Sequence, residues 1–433
     1  MKKVLFVATL DSHINLFHLP FLKFFKENGY EVHVATNSSN KIKYCDKKIK
    51  INIKRSPFNL KNIKAIFELK KIVEEEKYDI IHAHTPMGGV VARIAANKVR
   101  KTSRTKVIYT AHGFHFYKGA PLINWVLFYP IEKILANYTN AIITINKEDF
   151  NLAKSKFNTK IYYVPGVGIN EEKFNIKLTK KDEIELRKSL GLNEEDFVIT
   201  YPAELNKNKN QIMLIYAMEK LVAKYKNIHL LLPGIDSYNE YYQKIVHVKN
   251  LEKNIHFLGF RDDIPKLLNI SNLAVSTSLR EGLPVNIMEA MYVGLPIIAT
   301  DCRGNRDLVR NDFNGFLIGT SDVDSLVTNI EKIYNDKKLA LIFKKNNNQE
   351  IKRYLLDNIM KDMINIYTVE SKTKILHLLS SNKLSGAENV VCDIISNLSN
   401  DADFIYCSRN GDIKNILLKN NIKFELFNKL NKK

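Results

Sequence analysis

Cysteine is scarce in this 433-residue chain: Cys45, Cys302, Cys392 and Cys407 are its only 4, and no two form a CxxC pair. A disulfide framework and a cysteine-based zinc site are thereby excluded, and a reducing cytosol fits. Glycine (17) and proline (11) are too few for a collagenous or low-complexity polymer. Long apolar runs are missing as well. The uncharged stretch Gly119 to Ile131 falls well short of the roughly 20 residues that a spanning helix needs. The amino-terminal run Val4 to Leu10 is interrupted by Asp11, Ser12 and His13, so it reads as a first buried strand and not as a signal peptide. Acidic residues are in deficit, 46 against 66 Lys and Arg, for a net charge of +20. The imbalance is local: residues 1–170 carry +16, residues 171–370 balance at 0, and residues 371–433 carry +4. An anionic partner is expected at the first region. Without a helix-turn-helix, RNP or zinc-finger pattern, and without aromatics interleaved among the lysines, that partner is not nucleic acid.

What is present is a folding composition, 45% hydrophobic and 26% charged, and enough length for two ordinary domains plus a remainder. Short β-branched apolar runs alternate with amphipathic segments, the pattern of βαβ units and parallel sheets. The first series predicts strands at Lys3 to Thr9, Glu31 to Thr36, Asp79 to His84, Val107 to Ala111, Ala141 to Ile145 and Ile161 to Val164. A helix predicted over Asn62 to Lys77 spaces Ile63, Ile66, Leu69 and Val73 at helical intervals. After Pro165-Gly166 the pattern loosens, and from Phe197 a second strand series runs to Phe316–Ile318. The expected fold is α/β: two Rossmann-like domains, 1–170 and 171–370, facing across a cleft between their carboxyl-end edges. Helical sequence near Glu350 to Tyr367 is expected to close the second. Residues 371–433 restart the cycle, since Lys374 to Leu379 (KILHLL) resembles Lys3 to Ala8 (KVLFVA). A helix-like Ala387 to Leu398 and a strand-like Phe404 to Cys407 follow, so a short partial α/β extension is expected.

The segment richest in chemistry is Glu281-Gly-Leu-Pro-Val-Asn-Ile-Met-Glu289, followed by Gly294. Pro284 suits the first turn of a helix and Gly294 its end, which puts Glu281 on the entering loop and Glu289 within the helix. Glu289 is the only charged residue between Gly282 and Thr300. A carboxylate in so apolar a segment needs hydrogen-bond donors, and sugar hydroxyls are suitable ones. The start of the helix, with free N–H groups, is a diphosphate site. Lys209, in the turn after the first strand of the second series, can neutralise phosphate oxygens. A partly exposed acidic pair and a solvated lysine turn are the plainer readings of the same residues.

Together with the turns Leu232-Pro-Gly234 and Phe257-Leu-Gly-Phe260, and with Leu205-x3-Lys209, these residues resemble glycosyltransferase family 4, retaining enzymes of the GT-B fold, over about residues 1–370. The segment Tyr109-Thr-Ala-His112-Gly-Phe-His115-Phe-Tyr-Lys-Gly-Ala120-Pro121 is similar to the subgroup that elongates lipid-linked oligosaccharides for capsule, exopolysaccharide or glycan assembly. The resemblance implies transfer of a sugar from a nucleotide diphosphate donor, UDP-hexose or UDP-N-acetylhexosamine, with retention at the anomeric carbon. It further implies that Glu289 binds the donor ribose, Glu281 contacts the donor sugar and Lys209 the diphosphate. The main chain of Gly282, Leu283, Pro284, Val285 and Asn286 would cradle the phosphates, with Gly234, Phe260 and Arg261 on the donor side near the base. His112 would face donor sugar and acceptor, a structural histidine being the other reading. His82 and His84 read as core or supporting residues. Such enzymes usually need no metal or other cofactor, and no ligand cluster with metal spacing is visible.

Two departures from the family stand out. Its usual arginine five residues before the phosphate lysine is Glu204 here, and Lys207, Arg280 or Arg303 could replace the charge. Its glycine-rich first turn is Ala8 to Asn15 here, with no glycine before Gly29. Ser12, His13 and Asn15, with His18 and His115, are therefore the acceptor-side candidates. An undecaprenyl-pyrophosphate-linked saccharide is the implied acceptor. Gly119 to Ile131, with Trp125, Phe128 and Tyr129, is either a buried helix or a surface that meets lipid. The latter would hold the enzyme peripherally at the inner face of the cell membrane. The tail resembles the truncated start of a second family 4 enzyme. A non-catalytic nucleotide-sugar binding module and a GT-B sugar-nucleotide epimerase are the alternatives.

Overall fold

In the computed structural model, the described residues are 1–103, 105–176 and 178–368, together with 373–378, 390, 394, 402–408 and 424–426. Residues 1–363 form one compact unit and residues 364–433 a second.

The first unit contains two parallel sheets. In the first, β1 (Lys3–Val7), β2 (Glu31–Thr36), β3 (Lys47–Lys50), β4 (Ile80–His84), β5 (Lys106–Ala111), β6 (Ala141–Thr144) and β7 (Lys160–Tyr163) lie in the order β3-β2-β1-β4-β5-β6-β7. In the second, β8 (Phe197–Thr200), β9 (Ile228–Pro233), β10 (Ile255–Gly259), β11 (Leu273–Ser276), β12 (Ile297–Thr300) and β13 (Gly315–Ile318) lie in the order β10-β9-β8-β11-β12-β13. The registers Val4↔Val32 with Val4↔Ile80, and Ile199↔Leu230 with Ile199↔Leu273, make β1 and β8 the pivots. In both sheets the order reverses beside the first strand, and this switch point opens the crevice where such sheets bind ligands. The predicted strands are all present within a residue or two of their expected ends; β3, charged in three of four positions, had no apolar pattern to reveal it.

Burial on both faces explains the near-continuous apolar strands: Val4, Leu5, Phe6 and Val7 are fully buried, as are Leu230, Leu231 and Leu232. The helix Lys61–Glu76 turns Ala65, Leu69 and Val73 into the first core but leaves Ile63 53% exposed, with Phe67 exposed beside it. Ile63 thus departs from the expected apolar stripe, because the angle between positions 63 and 69 carries it out of the face that Leu69 and Val73 define. The Leu356–Thr368 helix also does more than close the second sheet. Ile169 bonds to the main chain on both sides of its start, and Met363 lines a small cavity with His18, Phe21 and Ile143 of the first sheet's half. In the second unit, β14 (Thr373–Leu378), β15 (Ala402–Ser408) and β16 (Phe424–Leu426) form a parallel sheet in that order. The expected strands at 374–379 and 404–407 fall on β14 and β15; most of the helix expected over 387–398 lies outside the described residues.

Candidate active site

The second sheet's switch point is flanked by the turn after β8 and the loop after β11. Across it, Lys209 Nζ donates to Glu281 Oε1 at 2.5 Å, and the Ser278 hydroxyl donates to the same oxygen at 2.5 Å. The lysine turn is fastened beneath: the Tyr201 and Thr277 hydroxyls donate to the Lys209 carbonyl at 3.2 and 3.0 Å. Past Glu281 the chain enters the helix Val285–Val293, with Pro284 before its first turn and Gly294 (φ 84°) at its end, as the sequence predicts. Leu283 and Pro284 are buried, Val285 and Asn286 half-buried. The Asn286 amide donates to the Pro202 carbonyl at 2.9 Å, tying the start of the helix to the β8 turn. The first N–H groups of that helix have no intrahelical acceptor.

Glu289 keeps some solvent exposure, yet burial pushes its carboxyl up to about 7, with Lys173 opposing more weakly. It accepts no hydrogen bond from the described residues, so its lone pairs await an outside donor. Gly234 serves close packing, since a Cβ there would collide with the Ala203 carbonyl. Phe260 is exposed, and Arg261 is held by both Asp263 oxygens at 2.7 and 2.6 Å. Neither Phe260 nor Arg261 lines the cavity that holds Glu281.

That cavity, about 180 Å³, is polar and is bounded by His112, Gly113 and His115 from the first sheet and by Asn208, Arg280 and Glu281 from the second. Gly282 is required there because a Cβ would collide with the His112 carbonyl oxygen. Of the three cations that could replace the missing family arginine, Lys207 is exposed outside this lining. Arg303 is buried and committed: its guanidinium bonds Asp149 Oδ1 and the Phe114 carbonyl, each at 2.9 Å, and the Glu281 carbonyl at 3.1 Å. Arg280 is exposed and lines the cavity. Glu204 is also exposed. Arg303 and Asp149 join the two halves, helped by Lys147 N–H to Asp307 at 2.7 Å and Arg306 to Glu148 at 3.2 Å. No sequence signal identified Asp149, whose partner lies 154 positions away.

On the first sheet's side lies a second, largely apolar cavity of about 460 Å³, walled by Ser12, His13, Phe17, Thr85, Met87 and Phe128 among others. Gly113, Phe114 and His115 line both cavities, making them adjoining chambers. Of the acceptor-side candidates, Ser12, His13 and His115 line this apolar chamber; Asn15 is exposed outside its lining, and His18 is buried behind it. Tight packing replaces the absent glycine loop: Gly88 lets the helix Pro86–Thr102 approach Ala8, and Thr85 adopts φ 62°, a strained value for a β-branched residue. His115 packs on Phe128 at 4.7 Å between centroids, and burial first, then Arg280, lowers its basicity.

His112 bounds the polar chamber, and its ring meets other histidines. Its Nε2 lies 3.2 Å from His13 Nε2, and His18 and His84 complete a group. Burial keeps all four neutral, His13 being pushed down to about 4 and the others well below the usual range. His84, read from sequence as a core or supporting residue, is fully buried and stands beside the candidates His13, His18 and His112. His82 bonds the Thr110 hydroxyl at 2.8 Å. The sequence holds the acidic triplets Asp322-Val-Asp324 and Asp401-Ala-Asp403, the second partly outside the described residues. Here Asp322 caps the helix Val323–Asn335, and Asp324 pairs with exposed Lys220 at 2.5 Å.

Two Rossmann-like halves meeting at a polar chamber define a GT-B glycosyltransferase. Residues 182–350 match the family model of glycosyl transferases group 1, and residues 3–146 match the glycosyl transferase 4-like model. The chain is 41% identical over 369 residues to EpsD of Bacillus subtilis (strain 168), a protein named as a glycosyltransferase, covering 85% of this chain and 96% of that one. It is 31% identical over 308 residues to the UDP-Gal:alpha-D-GlcNAc-diphosphoundecaprenol alpha-1,3-galactosyltransferase of Escherichia coli, covering 70% and 77% respectively. Anabaena Alr3699/HepE, solved with UDP and glucose, superposes with a TM-score of 0.68 at 21% identity, over 84% of this chain and 99% of that one. The chain belongs to the group 1 (family 4) glycosyltransferases and is an enzyme of that family.

Proposed function

We propose that this enzyme transfers a hexose or N-acetylhexosamine from its UDP derivative, with retention, to a lipid-linked diphosphate saccharide destined for a surface polysaccharide or glycan. The observation that carries the reading is the adjoining pair of chambers. A polar one bears Glu281, the neighbouring Lys209 and Arg280, and an apolar one opens from it along Gly113, Phe114 and His115. Lys209, Arg280 and the start of the Val285–Val293 helix supply positive potential for the donor diphosphate. Glu289 accepts from ribose hydroxyls, Glu281 from the donor sugar. His112 orients hydroxyls at the boundary, and Ser12, His13 and His115 meet the acceptor. The relative from Escherichia coli, named for a diphosphoundecaprenol substrate, supports an acceptor of this chemistry.

The same reading places the enzyme peripherally on the inner membrane face. No helix among the described residues is long and apolar enough to cross a membrane. The helix Leu122–Ala136 packs Trp125, Phe128 and Tyr129 against the core while exposing Leu122, Ile123 and Val126. A second apolar strip, Leu60, Ile63 and Phe67, is flanked by Lys64 and Lys71. Exposed apolar side chains beside lysines suit an anionic leaflet.

The test is a panel of UDP- and GDP-sugars incubated with a membrane lipid extract, with mass analysis of lipid products and proton NMR of the new anomeric centre. A lipid product with inverted configuration would remove retention. Tight donor binding without any product would select a binding module, and isomerised donor alone an epimerase.

A further inference from the structure

Behind the wall of the acceptor-side chamber, four imidazoles converge from separate segments: His13 and His18 after β1, His84 at the end of β4, and His112 after β5. One ring nitrogen of each lies within 4.8 Å of the corresponding atoms of the other three. Among the described residues, neither ring nitrogen of His18 nor of His84 has a hydrogen-bond partner, although both side chains are buried, His18 at 2% and His84 at 0% exposure. A neutral imidazole carries one N–H donor and one acceptor. Leaving such groups buried and unpaired is costly, because their hydration is lost with nothing to replace it. These ring nitrogens, in two rings stacked 3.7 Å apart, therefore need a partner that the described residues do not supply.

The space available limits what that is. A cavity of about 10 Å³ is lined by His18, His84 and His112, with His82 and Met363 beside them. That is at the lower limit for one water, which needs about 10–15 Å³. No carboxylate joins the set, and His82 is already bonded to Thr110.

We propose that His13, His18, His84 and His112 form an all-imidazole site for one divalent first-row transition ion, with zinc the ion that the set best fits. Zinc bonds imidazole nitrogen at about 2.0–2.1 Å in tetrahedral geometry, so neighbouring ligand nitrogens stand about 3.3 Å apart. The 3.2 Å between His13 Nε2 and His112 Nε2 already matches that edge. Closing the remaining separations from at most 4.8 Å takes ring rotations, chiefly of His18 and His84, which now stack with centroids 3.7 Å apart. Imidazole ligands also suit copper, nickel and cobalt, which makes cobalt a usable probe. The site is built from the first sheet's half alone and shares His13 and His112 with the proposed substrate contacts, so its test reads metal binding and not turnover.

The test uses the untagged full-length chain, stripped with EDTA and titrated with Co²⁺. The expected result is one Co²⁺ per chain with the intense visible absorption of a tetrahedral ion, displaced stoichiometrically by Zn²⁺. His84→Gln should weaken binding at least about 100-fold and abolish the band, whereas His247→Gln, on the surface outside the cluster, should leave both unchanged. Should His84→Gln fail to fold, the partly exposed His13→Gln serves, with circular dichroism as the folding check and an expected loss of about 10–100-fold. Absence of stoichiometric binding, or binding that survives His84→Gln or His13→Gln in folded protein, would overturn the assignment and leave a water-filled histidine cluster.

Discussion

Lys209 and Glu281, 72 positions apart, share a 2.5 Å ion pair across the switch point of the second sheet. The pair fixes the lysine beside the Glu281 carboxylate, which lines the polar chamber. Lys209→Met removes a charge-assisted bond of about 1.5–3 kcal/mol. The expected outcome is a roughly 10–150-fold fall in kcat/KM for the donor, measured by steady-state kinetics with acceptor saturating. An unchanged kcat/KM would separate Lys209 from the donor.

Arg280 is the exposed cation of the polar chamber, while Arg303 is occupied elsewhere. Arg280→Ala should raise donor KM several-fold with the melting temperature unaffected, and Lys207→Ala should change neither. A larger effect from Lys207→Ala would transfer the role of the missing family arginine to that residue.

Arg303 and Asp149 are both buried and bonded at 2.9 Å. Removing one partner of such a pair strands the other charge, at a cost of about 3–5 kcal/mol. Arg303→Met is expected to lower unfolding stability by that order in urea titrations. The double variant Arg303→Met/Asp149→Leu should recover much of it. Additive losses in the double variant would show that the two side chains act separately.

Glu289 gives a pH dependence of definite sign. Burial raises its folded value to about 7 from an ordinary 4.5. Its contribution to folding is therefore complete below about pH 4.5 and is lost as pH rises through 7. Ribose hydroxyls favour the carboxylate, so donor affinity should rise over the same interval with release of a proton. Calorimetry at pH 6 and 8 in buffers of different ionisation heat measures both. Glu289→Gln should flatten the profile; an identical slope in that variant would assign the titration to another group.

The exposed face of the Leu122–Ala136 helix supplies the membrane prediction. Val126→Glu should reduce flotation with vesicles containing phosphatidylglycerol, with circular dichroism unchanged. Trp125→Ala should act mainly on stability, since Trp125 packs 5.6 Å from Phe116 between ring centroids. Vesicle binding unaffected by Val126→Glu and by removal of anionic lipid would refute attachment through this face.

Much of this was legible in one dimension. Parallel strands buried on both faces read as apolar runs, and Pro284 and Gly294 bound the Val285–Val293 helix because proline and glycine suit those ends. Glu289 stood out because a lone charge in apolar sequence needs a reason, and Glu281 and Lys209 stood out by their places on the loop before the helix and in the turn after a strand. The charged strand β3, the outward turn of Ile63 and the inward turn of Trp125 were not legible, because each depends on which side a neighbouring element covers.

The sequence by itself determined the α/β class and the two-domain arrangement, which rest on local periodicity, and its motifs carried the family resemblance and singled out Glu281 and Glu289. Only the tertiary structure decided that Lys209 bonds Glu281, that Arg303 is spent on Asp149 while Arg280 stays free to line the chamber, and that four histidines spread over 100 positions converge. Those relationships are set where the carboxyl ends of parallel strands bring distant loops together, and no spacing along the chain encodes them.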